Sequence, residues 1–210
     1  MKTVKFSYIS ILIAISLILI SYNGVLAQTK LRDTPSQKKL NEMDVETLVK
    51  GNNFYDSKLN KNGDCPNNLV DNGNGTITDQ ATGLMWEQEG STRAKSFYMA
   101  TKYVKKLNMK KFAGHDDWRM PTIEELYSLL DPNRNNQMYI NSVLATKATH
   151  CWSTDKSDLR NDLPLAEQRG RYLTLDYKKG TFSDAFKGDQ PGGATATNFS
   201  SFIRAVRSIQ

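Results

Sequence analysis

The chain has 210 residues, with 28 Lys and Arg against 22 Asp and Glu and a formal net charge of +6. That excess is mild, which argues against a nucleic-acid-binding protein and leaves a weak preference for anionic surfaces. The length allows one domain of ordinary size with a real core, behind a short N-terminal segment.

Lys2 and Lys5 precede an apolar run from Ile9 to Ile20, and Val25-Leu26-Ala27 follows before Gln28. A charged start, a run too short to span a bilayer comfortably and small residues ahead of a cleavage point predict a signal peptide over 1–27. An uncleaved anchor helix is the alternative. Cleavage removes two lysines and no acid, so +6 becomes +4. The expected location is outside the cytoplasm, in the periplasm, on the outer surface or secreted, with no membrane span left after cleavage and no nucleic acid to meet.

Residues 28–66 are expected to be a linker and a short N-terminal segment. Gln28 to Asn41 is polar and holds Pro35, and Asp44 to Lys50 predicts a short helix capped by Asp44 and stopped by Gly51. From Leu69 the turn signals sharpen. Leu69-Val70, DNGNG, Thr76-Ile77-Thr78, DQATG and Leu84-Met85-Trp86 predict three short strands joined by tight turns, because Asn and Gly accept the positive φ of hairpins. Residues 92–108 switch to helical spacing, with Phe97, Ala100, Val104 and Leu107 on one side.

A second helix is expected from Thr122. Thr122 and Glu125 form a capping box, Ile123, Leu126, Leu129 and Leu130 supply the apolar stripe, and Pro132 ends it ahead of a polar loop at Asn133–Asn136. Strands are expected at His150–Thr154, Arg171–Tyr177, Thr181–Phe186 and Phe202–Arg207, the middle pair forming a hairpin around Lys178-Lys179-Gly180. Two helices followed by scattered antiparallel strands predict an α+β fold.

The motifs occur as DNGNGTITDQATGLMW, a helix, GHDDWRMPTIEELYSLLD, CWSTD, a Gly-turn hairpin and FIRAVR. In that order they resemble the C-terminal domain family of the Legionella collagen-like adhesin, over about residues 67–210. The resemblance implies an irregular C-type-lectin-like domain related to the formylglycine-generating-enzyme group. It also implies a bacterial surface or secreted protein of the adhesin kind, with sulfated glycosaminoglycans or host matrix proteins as partners. Two departures stand out. This chain has no collagen-like stalk, which puts trimerisation by that route in doubt, so the oligomeric state is left open. Ala205 also lies between Arg204 and Val206, where the family often has a Cys.

The stretch His115-Asp116-Asp117-Trp118-Arg119-Met120-Pro121-Thr122 looks catalytic at first sight. A hydrolase needs a nucleophile in a recognisable context, and a metal site needs more ligands than His115 and His150 supply. The better reading is a structural corner: Asp117 and Arg119 satisfy each other or nearby backbone, Trp118 fills the core, and Pro121-Thr122 sets the helix cap. Trp86, Trp152, Arg204 and Arg207 are expected to be structural too, the arginines as buried partners of carboxylates. The reactive cysteine pair of the formylglycine-generating enzymes has no counterpart near the C-terminus, so no enzymatic activity is expected. Cys65 and Cys151 either pair in an oxidising compartment or remain separate thiols. No cofactor is expected; calcium at Asp71, Asn74 and Asp79 is a minor alternative to a plain hairpin turn.

The remaining candidate is basic. Lys95, Lys102, Lys105, Lys106, Lys110 and Lys111 recur near helical spacing and are expected to bind a polyanion such as a sulfated glycan. The competing readings are a structural or assembly protein of the envelope, or a degenerate relative of the formylglycine-generating enzymes.

Overall fold

The computed structural model describes residues 31, 36–64, 66–144, 147–160, 162–163, 170–186 and 200–209; the expected signal segment 1–27 and Cys65 lie outside them. The first elements are a two-residue strand β1 (Lys39–Leu40) and helix α1 (Glu42–Gly51). The helix is capped by Asn41, whose side chain accepts the Asp44 N–H at 3.0 Å while the Asp44 carboxylate accepts the Asn41 N–H at 2.9 Å. Asp44 is thus the third helical residue of a capping box, not the cap expected from the sequence. Val45 and Val49 point into the core.

Three hairpin-linked strands follow where the turn residues placed them: β2 (Leu69–Asp71), β3 (Thr76–Asp79) and β4 (Leu84–Glu87). Gly73 and Gly75 at the first turn have φ of +69° and +84°, a region costly to residues with a Cβ. The closing strand β10 (Val206–Ser208) adds to β4, so this antiparallel sheet runs β10-β4-β3-β2. Ile77, Trp86 and Val206 lie in one register row, and all three are buried.

Chain order continues with helices α2 (Phe97–Met109) and α3 (Ile123–Tyr127), then strands β5 (Leu130–Asn135), β6 (Met138–Ile140), β7 (His150–Ser157), β8 (Arg171–Asp176) and β9 (Thr181–Phe186). The second sheet runs β1-β7-β8-β9, with β1 parallel to β7 and the other pairs antiparallel. Asp155 on β7 fastens the N-terminal segment to it. Its buried carboxylate accepts the Lys38 N–H at 2.9 Å and the Ile123 N–H, at the start of α3, at 2.8 Å.

The third sheet is the β5–β6 hairpin, and it overturns part of the expectation. The capping box at Thr122 forms as read, but α3 ends after five residues. Leu129 and Leu130 still reach the core, Leu130 doing so as the first residue of a strand paired with Ile140. The hairpin turns through Asn136 and Gln137, with φ of +48° and +66°, where a polar loop was expected. The α+β, C-type-lectin-like plan with two helices is therefore wrong. The described residues form ten strands in three sheets against three short helices, a β-rich fold.

Buried side chains fall into two clusters. The larger is centred on Phe54, Ile77, Trp86, Leu126, Tyr127, Leu173, Leu175 and Val206. The smaller holds Ala100, Val104, Trp118, Trp152, Ile203 and Ala205 and lies beneath α2. This second cluster fixes how α2 is presented.

Candidate functional site

The DWR corner is densely bonded into the fold. Trp118 is 2% exposed. Its backbone N–H donates to Asn108 Oδ1 at 2.8 Å, its carbonyl accepts from Asn108 Nδ2 at 2.9 Å, and its indole N–H donates to the Phe112 carbonyl at 3.0 Å. Asn108 lies in the last turn of α2, so these bonds weld the helix end to the corner. Asp117 and Arg119 do not satisfy each other. Asp117 accepts two bonds from Arg207, at 2.6 and 3.1 Å, and Arg119 grips Glu125 at 2.8 and 2.6 Å. Arg119 also exchanges backbone bonds with Val206 at 2.9 and 3.0 Å, which brings β10 and its Arg207 beside Asp117. Arg207 holds the Asp117 carboxyl below the usual carboxylate range.

Glu125 is shared. One of its oxygens also accepts the Thr122 N–H at 2.8 Å, completing the capping box. The Pro121 carbonyl accepts the Thr154 N–H at 2.7 Å, so the corner is tied to β7. His115 is only edge-on to Trp118, with ring centroids 6.4 Å apart. His150 lies on β7, between the Thr149 hydroxyl and the Ser200 carbonyl.

Arg204 is fully buried, and its guanidinium donates to the backbone carbonyls of Glu87, at 2.7 Å, and Gln88. Beside it the Tyr103 hydroxyl, from α2, donates to the buried Glu87 carboxylate. Burial raises the Glu87 carboxyl above its ordinary value, and the Tyr103 bond opposes that rise. Trp86 and Trp152 are fully buried, and the Trp152 indole N–H donates to the Lys95 carbonyl at 2.8 Å. Cys151 is buried and has no disulfide partner among the described residues, its thiol pushed up to about 11 by burial; its suggested partner Cys65 lies outside them.

The three calcium candidates do not converge. Asp79 is buried and accepts bonds from Asn67, Asn68, Ala81 and Thr82 at 2.8 to 3.0 Å. Asp71 lies at the other end of the β2–β3 hairpin, opposite Ile77, and Asn74 accepts the Thr76 hydroxyl. Among the described residues no three His, Cys, Asp or Glu side chains gather as a metal site would require. A cleft of about 230 Å³ between β8, β9 and Ser200–Ser201 is lined by His150, Thr174, Asp176, Ser183 and Asp184. Its carboxylates are already engaged, Asp176 by backbone N–H groups of Lys178 and Lys179, Asp184 by Arg171 and Ser157.

Among the described residues, the basic face of α2 is exposed to a ligand. Ser96 caps α2, and Ala100 and Val104 bury its inner side. Phe97 stacks on Tyr172 with centroids 3.6 Å apart and meets Trp152 edge-on at 5.6 Å. With the inner side so fixed, Lys102, Lys105 and Lys106 are exposed, as are Lys110 at the C-cap and Lys111 just beyond. Lys111 has φ of +47° and faces Asp116 at 3.9 Å. Among the described residues no ion pair engages Lys102, Lys105, Lys106 or Lys110. Lys95 stands apart from the set. It precedes the cap, bridges to Ser201, is partly buried, and lays its ammonium 5.6 Å from the Tyr103 ring.

Residues 90–115 hold seven basic side chains and no acid, while the rest of the chain holds 21 basic and 22 acidic ones. The charge excess of the whole molecule is therefore concentrated at α2 and its flanks. Arg93, exposed ahead of the helix, belongs to this set and was missed by helical spacing; a windowed charge count finds it. The family model for the Lcl C-terminal domain matches residues 75–207. No curated protein and no solved structure matches the chain.

Proposed function

This chain belongs to the Lcl C-terminal domain family, that of the collagen-like adhesin, and from that premise we propose that it is an exported binding protein acting at a surface. Its ligands in this reading are sulfated glycans or similar polyanions, held by the exposed side of α2, and it performs no reaction of its own. One observation carries the reading: seven basic and no acidic residues over 90–115 in a chain that is otherwise nearly neutral. Such an asymmetry sets up a one-signed field over one face, which draws in a polyanion and holds it by many weak contacts. Each contact is exposed to water and screened over about 10 Å at 0.1 M salt, so retention should fall steeply as salt rises.

The test is chromatography on immobilised heparin across a salt gradient, comparing the wild type with a Lys102→Glu, Lys105→Glu, Lys106→Glu triple variant. All three positions are exposed, so the fold should be kept, and the variant is expected to pass through near physiological salt while the wild type is retained. A folded triple variant that elutes with the wild type would rule this face out.

A further inference from the structure

The lysines are not the only unusual feature of α2. The described residues expose six large hydrophobic side chains, and three of them, Tyr98 at 50%, Met99 at 48% and Met109 at 86%, belong to this one helix. A sulfated polysaccharide would neutralise the lysines and leave the methionines in water. At 100° per residue, Tyr98, Lys102, Lys105, Lys106 and Met109 share an arc of roughly 100°, with Met99 at its margin. Tyr98 and Met99 sit in the first turn and Met109 at the last position, about 15 Å apart along the axis at 1.5 Å per residue. The face thus has an apolar contact at each end and cations between them.

We infer that this face also docks flat on the surface of a bilayer carrying anionic phospholipid headgroups. Met99 and Met109 enter the boundary between headgroups and acyl chains, and the lysines extend their apolar stems alongside and place their ammonium groups at the phosphates. Lys102 already lies over the Tyr98 ring, 4.3 Å from its centroid, so aromatic and cation reach the interface together. The helix lies on the membrane and does not cross it. It has 13 residues, its opposite side is packed on Trp118 and Trp152, and no described helix is long and apolar enough to span. No acid lies within α2, so the repulsion an anionic surface would meet is confined to acids that flank it, such as Asp116, which faces Lys111. This inference shares its lysines with the proposed polyanion face but depends on the methionines, which that reading does not use.

The two are separated by sedimenting the exported protein with vesicles of phosphatidylcholine alone, or with one third phosphatidylglycerol, beside the heparin column. The wild type is expected to partition at least tenfold more strongly onto the anionic vesicles. A Met99→Ser, Met109→Ser variant, whose charges are intact, should lose fivefold or more of that partition and keep its heparin elution. The Lys102, Lys105, Lys106 triple variant should lose both. Wild-type partition no stronger on anionic than on neutral vesicles would overturn the inference, as would a methionine variant that binds them like the wild type. Either result alongside normal heparin retention leaves the polyanion reading standing. Vesicle binding in a protein that heparin does not retain would count against that reading alone.

Discussion

Trp118 is where the structural reading of the HDDWRMPT stretch is most exposed to test. A buried tryptophan removes on the order of 200 Å² from water, which at about 25 cal/mol per Å² is roughly 5 kcal/mol. The indole N–H also satisfies the Phe112 carbonyl, and the surrounding aromatic contacts would collapse only partly into the space left. Trp118→Ala should therefore cost about 3–5 kcal/mol, enough to unfold a domain of ordinary stability. Trp118→Phe keeps most of the buried area, loses one hydrogen bond and should cost about 1–2 kcal/mol. His115→Ala, which removes a partly exposed ring meeting Trp118 only at its edge, should stay within about 0.5 kcal/mol. Urea unfolding followed by circular dichroism gives all three, provided the slopes agree. A Trp118→Ala protein as stable as the wild type that has lost heparin binding would mean that the corner contacts ligand and is not core.

Two further outcomes follow from buried or paired groups. The Cys151 thiol, held near 11 by burial, should resist alkylation in the native protein at pH 8 and react once urea unfolds it, as read by mass; equal rates in both states would contradict its burial, and no reaction even when unfolded would report pairing with Cys65. The Asp117 carboxyl is lowered by Arg207 in the folded state, so its stabilisation is full above the ordinary value of about 3.9 and is lost as pH falls through the folded one. Asp117→Asn should lower the melting temperature modestly at pH 7, since the carboxylate is half exposed, and the gap to the wild type should begin to narrow as pH falls below about 4; a gap that does not narrow at all as pH falls would point to packing instead of charge.

What could be read from the sequence was whatever is decided locally. The DNGNG and Lys178-Lys179-Gly180 turns declare themselves because glycine is the residue that adopts φ near +65° to +85° without strain, and both hairpins are present. The Thr122–Glu125 box is likewise a matter of four consecutive residues. The β5–β6 hairpin was missed because its turn uses Asn136 and Gln137, with no glycine, and because Leu129 and Leu130 continue the helical spacing of Ile123 and Leu126. Periodicity reports which side chains are buried, and here a strand buries the last of them. The ion pairs of the corner were misassigned for a different reason. Asp117 meets Arg207, 90 residues away, only because the Arg119–Val206 bridge brings β10 alongside, while Glu125 turns to Arg119 from the start of α3. Nothing in the local sequence ranks those partners above the neighbouring arginine.

In the proposed reading the two sides of α2 divide the work of folding and of ligand contact while linking the two energetically. Lys102 and Lys105, Lys102 and Lys106, and Lys106 and Lys110 stand three or four residues apart, so each pair repels by a few tenths of a kcal/mol. An isolated helix with that surface would be poor. Here the inner side supplies what the surface withholds: Phe97 between Tyr172 and Trp152, Ala100 and Val104 in the core, Tyr103 on Glu87, and Asn108 locked to both backbone groups of Trp118. Because tertiary packing holds the helix, the lysines stay close together at a repulsive cost smaller than one of those contacts. An anion laid across them removes the repulsion, and that relief is present only in the folded state, where the helix brings the charges together. If a polyanion binds there as proposed, ligand affinity and fold stability are coupled through the surface charge, and the corner at Trp118 need touch no ligand to be required for that binding.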